Sequence, residues 1–242
     1  MNILITGGTS GIGKQIALDY LRDGHKVIVW GRNEVRLQEL ASCGASIDCV
    51  DVTDAEKVAN AFESLVETKS IDLAILSAGD CKYIDDGELD LSTFEQMWQV
   101  NVVGQLTLLD CFKKHAARIE GASVYCVGSS AHLFPFPRAE AYGGTKAALN
   151  YICRVYRAFL AGKGIKLGLI EPGFVDTPLT QKNDFDMPFL ISVEEASERI
   201  RRGIRAKRLL IRFPRRLIYS LKLLGIMPEA WQLFIQRKLT SG

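Results

Sequence analysis

The sequence predicts a single doubly wound, parallel α/β domain, and three observations carry that expectation. Short apolar runs rich in β-branched residues recur along the chain, helix-length segments separate them, and a glycine cluster follows the first run. Strands alternating with helical spacers build right-handed βαβ units and hence a parallel sheet. Several runs are apolar throughout, as strands covered on both faces are.

The runs are NILIT, KVIVW, SIDCV, DLAILS, SVYCVG, KLGLI and RLLIR, which predicts about seven strands. MNILITGG already reads as a strand entering a glycine turn, so no signal peptide is expected. With 48% hydrophobic and 24% charged residues, 242 residues bury a substantial core as one unit. Residues 1–213 carry the sheet, and 214–242 read as a C-terminal amphipathic helical extension. Between residues 177 and 192, PLTQKNDFDMP turns irregular and reads as a mobile flap. Ser192, followed by Glu194 and Glu195, then opens a helix as an N-cap with an acidic first turn.

Net charge is only +2, but residues 199–222 hold ten Lys or Arg and no acid, leaving −8 for the rest. From Pro214 the chain reads as short amphipathic helices with basic edges. Arg215, Arg216, Lys222, Pro228 and Glu229 keep every apolar run short of the roughly 20 residues that span a bilayer. Three readings of this tail stay open: packing over a substrate cleft, a homo-oligomer contact, or peripheral attachment to an anionic membrane surface. Basic residues interleaved with aliphatics and lacking a binding motif argue against nucleic acid. The six cysteines, at 43, 49, 81, 111, 126 and 153, form no CxxC pair and have no histidine group beside them. They predict no metal site and read as reduced, semi-buried thiols of a cytoplasmic protein.

TGGTSGIG, residues 6–13, lies between the first strand and an amphipathic helical segment, the context a phosphate-binding turn requires. Its glycines let the backbone approach a pyrophosphate, and the N–H groups and dipole of the next helix favour the negative charge. The predicted fold is thus a Rossmann-type dinucleotide-binding domain, with Gly7, Thr9, Ser10, Gly11, Ile12 and Gly13 at the phosphates. The spacing is G-x-x-x-G-x-G, which departs from G-x-G-x-x-G. Downstream, AYGGTKAAL sets Tyr142 four residues before Lys146, on one helical face.

With these motifs the sequence resembles the short-chain dehydrogenase/reductase family from residue 1 to roughly residue 213. The family's turn is T-G-x-x-x-G-x-G, met by Thr6, Gly7, Gly11 and Gly13. The resemblance implies a catalytic tetrad of Asn101 in WQVNVVG, Ser129 in VYCVGSSA, Tyr142 and Lys146, with Ser130 the competing serine. It implies that Tyr142 gives its proton to the oxygen of a carbonyl receiving hydride, or takes it from an alcohol in the reverse direction. Lys146 would stabilise the phenolate of a group that otherwise titrates near pH 10 and would hold the nicotinamide ribose. Ser129 would bond the substrate oxygen, and Asn101 would support Lys146 through water. Asp51 and Val52 match the adenine-contacting pair, although Asp51, Thr53 or Asp54 also suits a helix cap. Ser77, Ala78 and Gly79 match the N-A-G turn, with serine for asparagine. Pro172, Gly173, Val175 and Thr177, in EPGFVDTP, match the P-G motif that holds the carboxamide.

An NAD site would end the second strand with an acid, yet here the strand ends VIVWGRN. Arg32 offers a guanidinium suited to a 2′-phosphate, with Ser10 and Asn33 able to add bonds, so NADP(H) is favoured over NAD(H). Glu34 is the alternative partner for Arg32. The implied function is an NADP(H)-dependent oxidoreductase of a carbonyl or secondary alcohol on a lipophilic small molecule, working as a homo-oligomer. A non-catalytic NAD(P)-binding redox sensor or scaffold is the alternative. A sugar-nucleotide epimerase fits neither the glycine spacing nor the chain length.

Overall fold

The structure is a computed structural model that describes residues 1–84 and 88–240 of the chain. All seven apolar runs are strands: β1 (Asn2–Thr6), β2 (Lys26–Gly31), β3 (Ser46–Cys49), β4 (Leu73–Leu76), β5 (Ser123–Val127), β6 (Lys166–Pro172) and β7 (Leu210–Phe213). They pair in parallel in the order β3-β2-β1-β4-β5-β6-β7. The chain builds outward from β1 to β3 and then crosses back to β4. The order therefore reverses between β1 and β4, where such sheets open a crevice at their carboxyl ends.

Helices α1 (Gly11–Arg22), α2 (Glu34–Ser42) and α7 (Val193–Arg205) cover one face; α3 (Ala55–Thr68), α5 (Gly104–Lys114) and α6 (Glu140–Ala161) cover the other. Within β1, Ile3 and Ile5 join Ile16, Leu40 and Ile200 on the first face, while Leu4 joins Phe62, Phe112 and Leu149 on the second. This double covering is why the runs are apolar without alternation, and each fully buried Ile or Phe stabilises the fold by roughly 2 kcal/mol. Caps set the helix starts. Asn33, Asp54 and Ser192 accept from the N–H groups of Arg36 (3.0 Å), Lys57 (2.9 Å) and Glu195 (3.2 Å). The cap of α3 is thus Asp54, which leaves Asp51 for the cleft.

Helix α4 (Leu91–Trp98) runs into a π-helical turn, Gln99–Val103, and then α5. The cysteines differ from the expectation of semi-burial: Cys111, Cys126 and Cys153 are fully buried, Cys43 and Cys49 are exposed, and only Cys81 lies between. The tail forms α8 (Arg215–Gly225) and α9 (Glu229–Thr240). The inner face of α8 buries Leu217 and Leu221 against Phe134, Phe136 and Phe174. Among the described residues, no helix is long and apolar enough to cross a membrane, and no group of His, Cys, Asp or Glu is arranged to hold a metal.

Candidate active site

Close packing shapes the turn between β1 and α1. Gly7 has φ +65°, and a Cβ there would lie 2.7 Å from the Ala78 nitrogen; one at Gly13 would meet the Gly7 carbonyl oxygen at 2.5 Å. Only glycine lets this turn fold onto the end of β4. Gly7→Ala is expected to cost about 2 kcal/mol or more, read as a fall in Tm. Ser10 precedes α1 without capping it through its side chain. Gly11, Ile12 and Gly13, in the first turn of α1, line the cleft described below, where free N–H groups and the helix dipole favour an anion.

From this turn a cleft of about 750 Å³ runs along the carboxyl edge of the sheet. It is lined by Gly7, Thr9, Ser10, Gly11, Ile12, Gly13, Arg32, Asp51, Val52, Ser77, Ala78, Gly79, Ser129, Tyr142, Lys146, Pro172, Gly173, Val175 and Thr177. Of the residues the sequence nominates, only Asn101 stands behind the lining. At one end lie Arg32 and Arg36, the latter missed in the sequence because an arginine on a polar helix reads as a solvated face. Arg32 pairs with Asp51 (3.7 Å) rather than with Glu34. Burial would raise the Asp51 carboxyl, but two bonds from Thr53 and the Arg32 charge outweigh it and hold the group below its usual range. Asn33 lines the cleft beside Arg32, and its side chain caps α2.

At the other end sit Ser129, Tyr142 and Lys146. Ser129 lines the cleft and its Oγ accepts from the Ala131 N–H (3.1 Å), starting the 3-10 turn Ser130–Leu133; Ser130 is buried behind it. Lys146, 4% exposed, donates from Nζ to the Val127 carbonyl (3.1 Å), and burial pushes its ammonium down to about 8. The same burial pushes the Tyr142 phenol up, with Ser129 opposing it only in part. Lys146 Nζ lies 5.6 Å from the Tyr142 ring centre. Burial thus acts on both groups in the same sense, favouring the neutral phenol and the neutral amine.

Asn101, wholly buried in the π-helical turn, accepts from the Asp80 N–H through Oδ1 (2.9 Å) and donates through Nδ2 to the Asp80 carbonyl (2.9 Å) and Thr145 Oγ1 (3.1 Å). Thr145 in turn donates to the Tyr142 carbonyl (2.7 Å). The asparagine therefore ties the segment after β4 to the helix carrying Tyr142. A Cβ on Gly79 would come within 3.0 Å of Asn101 Oδ1 and 3.4 Å of Lys146 Nζ, so these two groups border one small space.

A second buried network went unread in the sequence. Glu171, wholly buried at the end of β6, accepts from Asn150, Arg212 and His132 (3.1 Å to His132). Burial favours the protonated carboxyl, but His132 and Arg212 outweigh it and lower the Glu171 value. Asn150 lies one helical turn beyond Lys146, and His132 follows Ser129 by three residues, so the network braces the elements that present both. Beyond Tyr142, Tyr83 stacks edge-on against Phe185 (5.4 Å), which meets Phe174 (6.1 Å). Arg138 fastens this segment by donating to both carboxylate oxygens of Asp184 (2.8 and 3.1 Å), and Val175 bridges Ile191.

Known proteins share this chain's sequence pattern and its fold. The profile of the short chain dehydrogenase family matches residues 1–187. Serine 3-dehydrogenase of Rhizobium radiobacter is 30% identical over 207 residues, 84% of this chain and 80% of that one. Galactitol 2-dehydrogenase (L-tagatose-forming) of Cereibacter sphaeroides is 31% identical over 184 residues, 74% of this chain and 72% of that one. Among solved structures, the closed form of serine dehydrogenase complexed with NADP+ superposes with TM-score 0.76 at 25% identity, covering 88% of this chain and 94% of that one. A Burkholderia cenocepacia short chain dehydrogenase in complex with NADP has TM-score 0.83 at 21% identity, covering 98% and 96%, a likeness of fold. By sequence and by fold, this chain belongs to the short chain dehydrogenase family of oxidoreductases, whose members bind a nicotinamide cofactor.

Proposed function

We propose that the protein is an NADP(H)-dependent reductase of a carbonyl on a lipophilic small molecule, with Tyr142 as proton donor. The observation that carries this is the convergence of Ser129, Tyr142 and Lys146 at one end of a cleft whose other end holds Arg32 and Arg36. Gly7, Thr9, Ser10, Gly11, Ile12 and Gly13 seat the pyrophosphate against the N-terminus of α1. Asp51 and Val52 flank the adenine, and Ser77, Ala78 and Gly79 support the ribose. Pro172, Gly173, Val175 and Thr177 hold the carboxamide. The cofactor supplies the hydride that the carbonyl carbon receives. As it arrives, the Tyr142 O–H bond breaks and its proton passes to the carbonyl oxygen, which Ser129 holds by a hydrogen bond. Lys146, charged below about pH 8, binds the nicotinamide ribose hydroxyls. Asn101 positions the segment after β4 and the helix that carries Tyr142 and Lys146.

Tyr83, Phe174 and Phe185 beside Tyr142 support an apolar substrate. Exposed Tyr151, Val155 and Phe159 on α6 fit a second copy of the chain, and six unpaired thiols suit a cytoplasmic setting.

Screening ketones, aldehydes and acyl carbonyls for NADPH oxidation tests the reading. Failure of all of them, with tight nucleotide binding retained, would move the protein to the non-catalytic sensor class. On the cofactor side, Arg32→Ala and Arg36→Ala are each expected to raise KM for NADPH by about tenfold while leaving KM for NADH within about twofold. A clear preference for NADH in the unmodified protein defeats the NADP assignment.

A further inference from the structure

The terminal segment of α8 and α9 has two unlike faces. Its inner face packs behind the loop after Ser129 and against Phe174, and Gln232 Nε2 locks the two helices together by donating to the carbonyls of Gly225 (3.2 Å) and Met227 (2.8 Å). Its outer face is apolar and open to solvent. Tyr219, Leu223 and Ile226, spaced to lie along one stripe of the helix and its end, are 67%, 58% and 80% exposed. Trp231 and Phe234 continue the exposed surface on α9.

Charge says what this stripe meets. Arg215, Arg216 and Lys222 flank it, all exposed, and among the described residues none of the three has an acid within ion-pair distance. Lys238 Nζ sits 4.8 Å over the Phe234 ring. From residue 199 to residue 240 the sole acid is Glu229. An ordinary protein partner takes the apolar stripe but leaves its dense cationic rim without counter-charge. A second copy brings a further set of like charges to the same rim. An anionic lipid surface satisfies both, since side chains such as Leu223, Ile226 and Trp231 enter the headgroup boundary while arginines and lysines meet phosphates.

We infer that α8 and α9 dock the enzyme peripherally on an anionic lipid surface through this outer face. The docked helices are the ones that wall Phe174, so the lipid lies directly behind the substrate end of the cleft. This inference does not depend on the reaction proposed above.

The full chain is sedimented with vesicles of phosphatidylcholine alone and of phosphatidylcholine with phosphatidylglycerol. Binding is expected only with phosphatidylglycerol, weakening as salt rises, with a blue shift of Trp231 emission read in a Trp98→Phe background where the other tryptophan, Trp30, is buried. Leu223→Glu with Ile226→Glu is expected to weaken binding at least ~10-fold, and Arg215→Gln or Arg216→Gln by about fivefold each. The arginine variants leave the apolar stripe intact and so keep the test open if the double variant misfolds. Absence of binding to phosphatidylglycerol vesicles at low salt overturns the inference. So does a dimer in sedimentation velocity that Leu223→Glu with Ile226→Glu dissociates, for that result gives the face to a second copy.

Discussion

Tyr142→Phe is expected to lower kcat for carbonyl reduction by roughly 10³-fold, the middle of the range for losing a positioned general acid, while the Kd for NADPH stays within about threefold of the unmodified value. The substitution removes one oxygen from a ring that keeps its packing. Ser129 Oγ retains its bond from the Ala131 N–H, and Thr145 still donates to the residue 142 carbonyl. Local structure therefore stays in place, and thermal stability should hardly move. Ser129→Ala is a less clean probe, because the same Oγ starts the 3-10 turn and its loss combines a structural effect with a chemical one. Initial rates with titration of NADPH binding decide the matter, and activity within about tenfold of the unmodified enzyme removes Tyr142 from the role of proton donor.

What the sequence made legible was local or periodic. All seven strands, the helix over AYGGTKAAL, the Ser192 cap and the glycine turn follow from patterns within a few residues. Arrangements that depend on distant residues were not readable. Asn101 lies in a π-helical turn, and its partners Asp80 and Thr145 lie 21 and 44 residues away. Glu171 reads as the flank of a Pro-Gly turn until the fold brings Asn150, His132 and Arg212 to it. The tail shows the same division. Its helical period was visible, but that the stripe of Leu217 and Leu221 is the one packed on Phe134 depends on a contact across the whole fold. Electrostatics divides in the same way: spacing puts a phenol and an ammonium on one face, but the depth of burial that favours the neutral form of each comes from the fold.

That depth yields the second large effect. Lys146→Met is expected to abolish reduction while making the nucleotide-free chain more stable. Among the described residues the unmodified ammonium has one acceptor, the Val127 carbonyl, and burial lowers it from 10.5 to about 8. Keeping it charged at pH 7 costs the fold on the order of 3 kcal/mol. Because the folded value lies below the unfolded one, the unfolded chain holds more protons between about pH 8 and 10.5, so this cost is full below pH 8 and is relieved as pH rises through that window. Methionine fills nearly the same volume without charge. Against the relief stands about 1 kcal/mol for the lost bond to Val127. The net gain of roughly 1–2 kcal/mol corresponds to about 2–8 °C in Tm for a chain of this size. Melting curves at pH 7 and near pH 10 provide the check, since the variant's advantage should be largest at the lower pH and shrink at the higher. A variant less stable at pH 7, or an advantage independent of pH, would mean that the ammonium is not strained by burial. If the advantage appears together with lost turnover, the fold is tolerating an unfavourable buried charge at the one position where that charge can hold a ribose beside the proton donor.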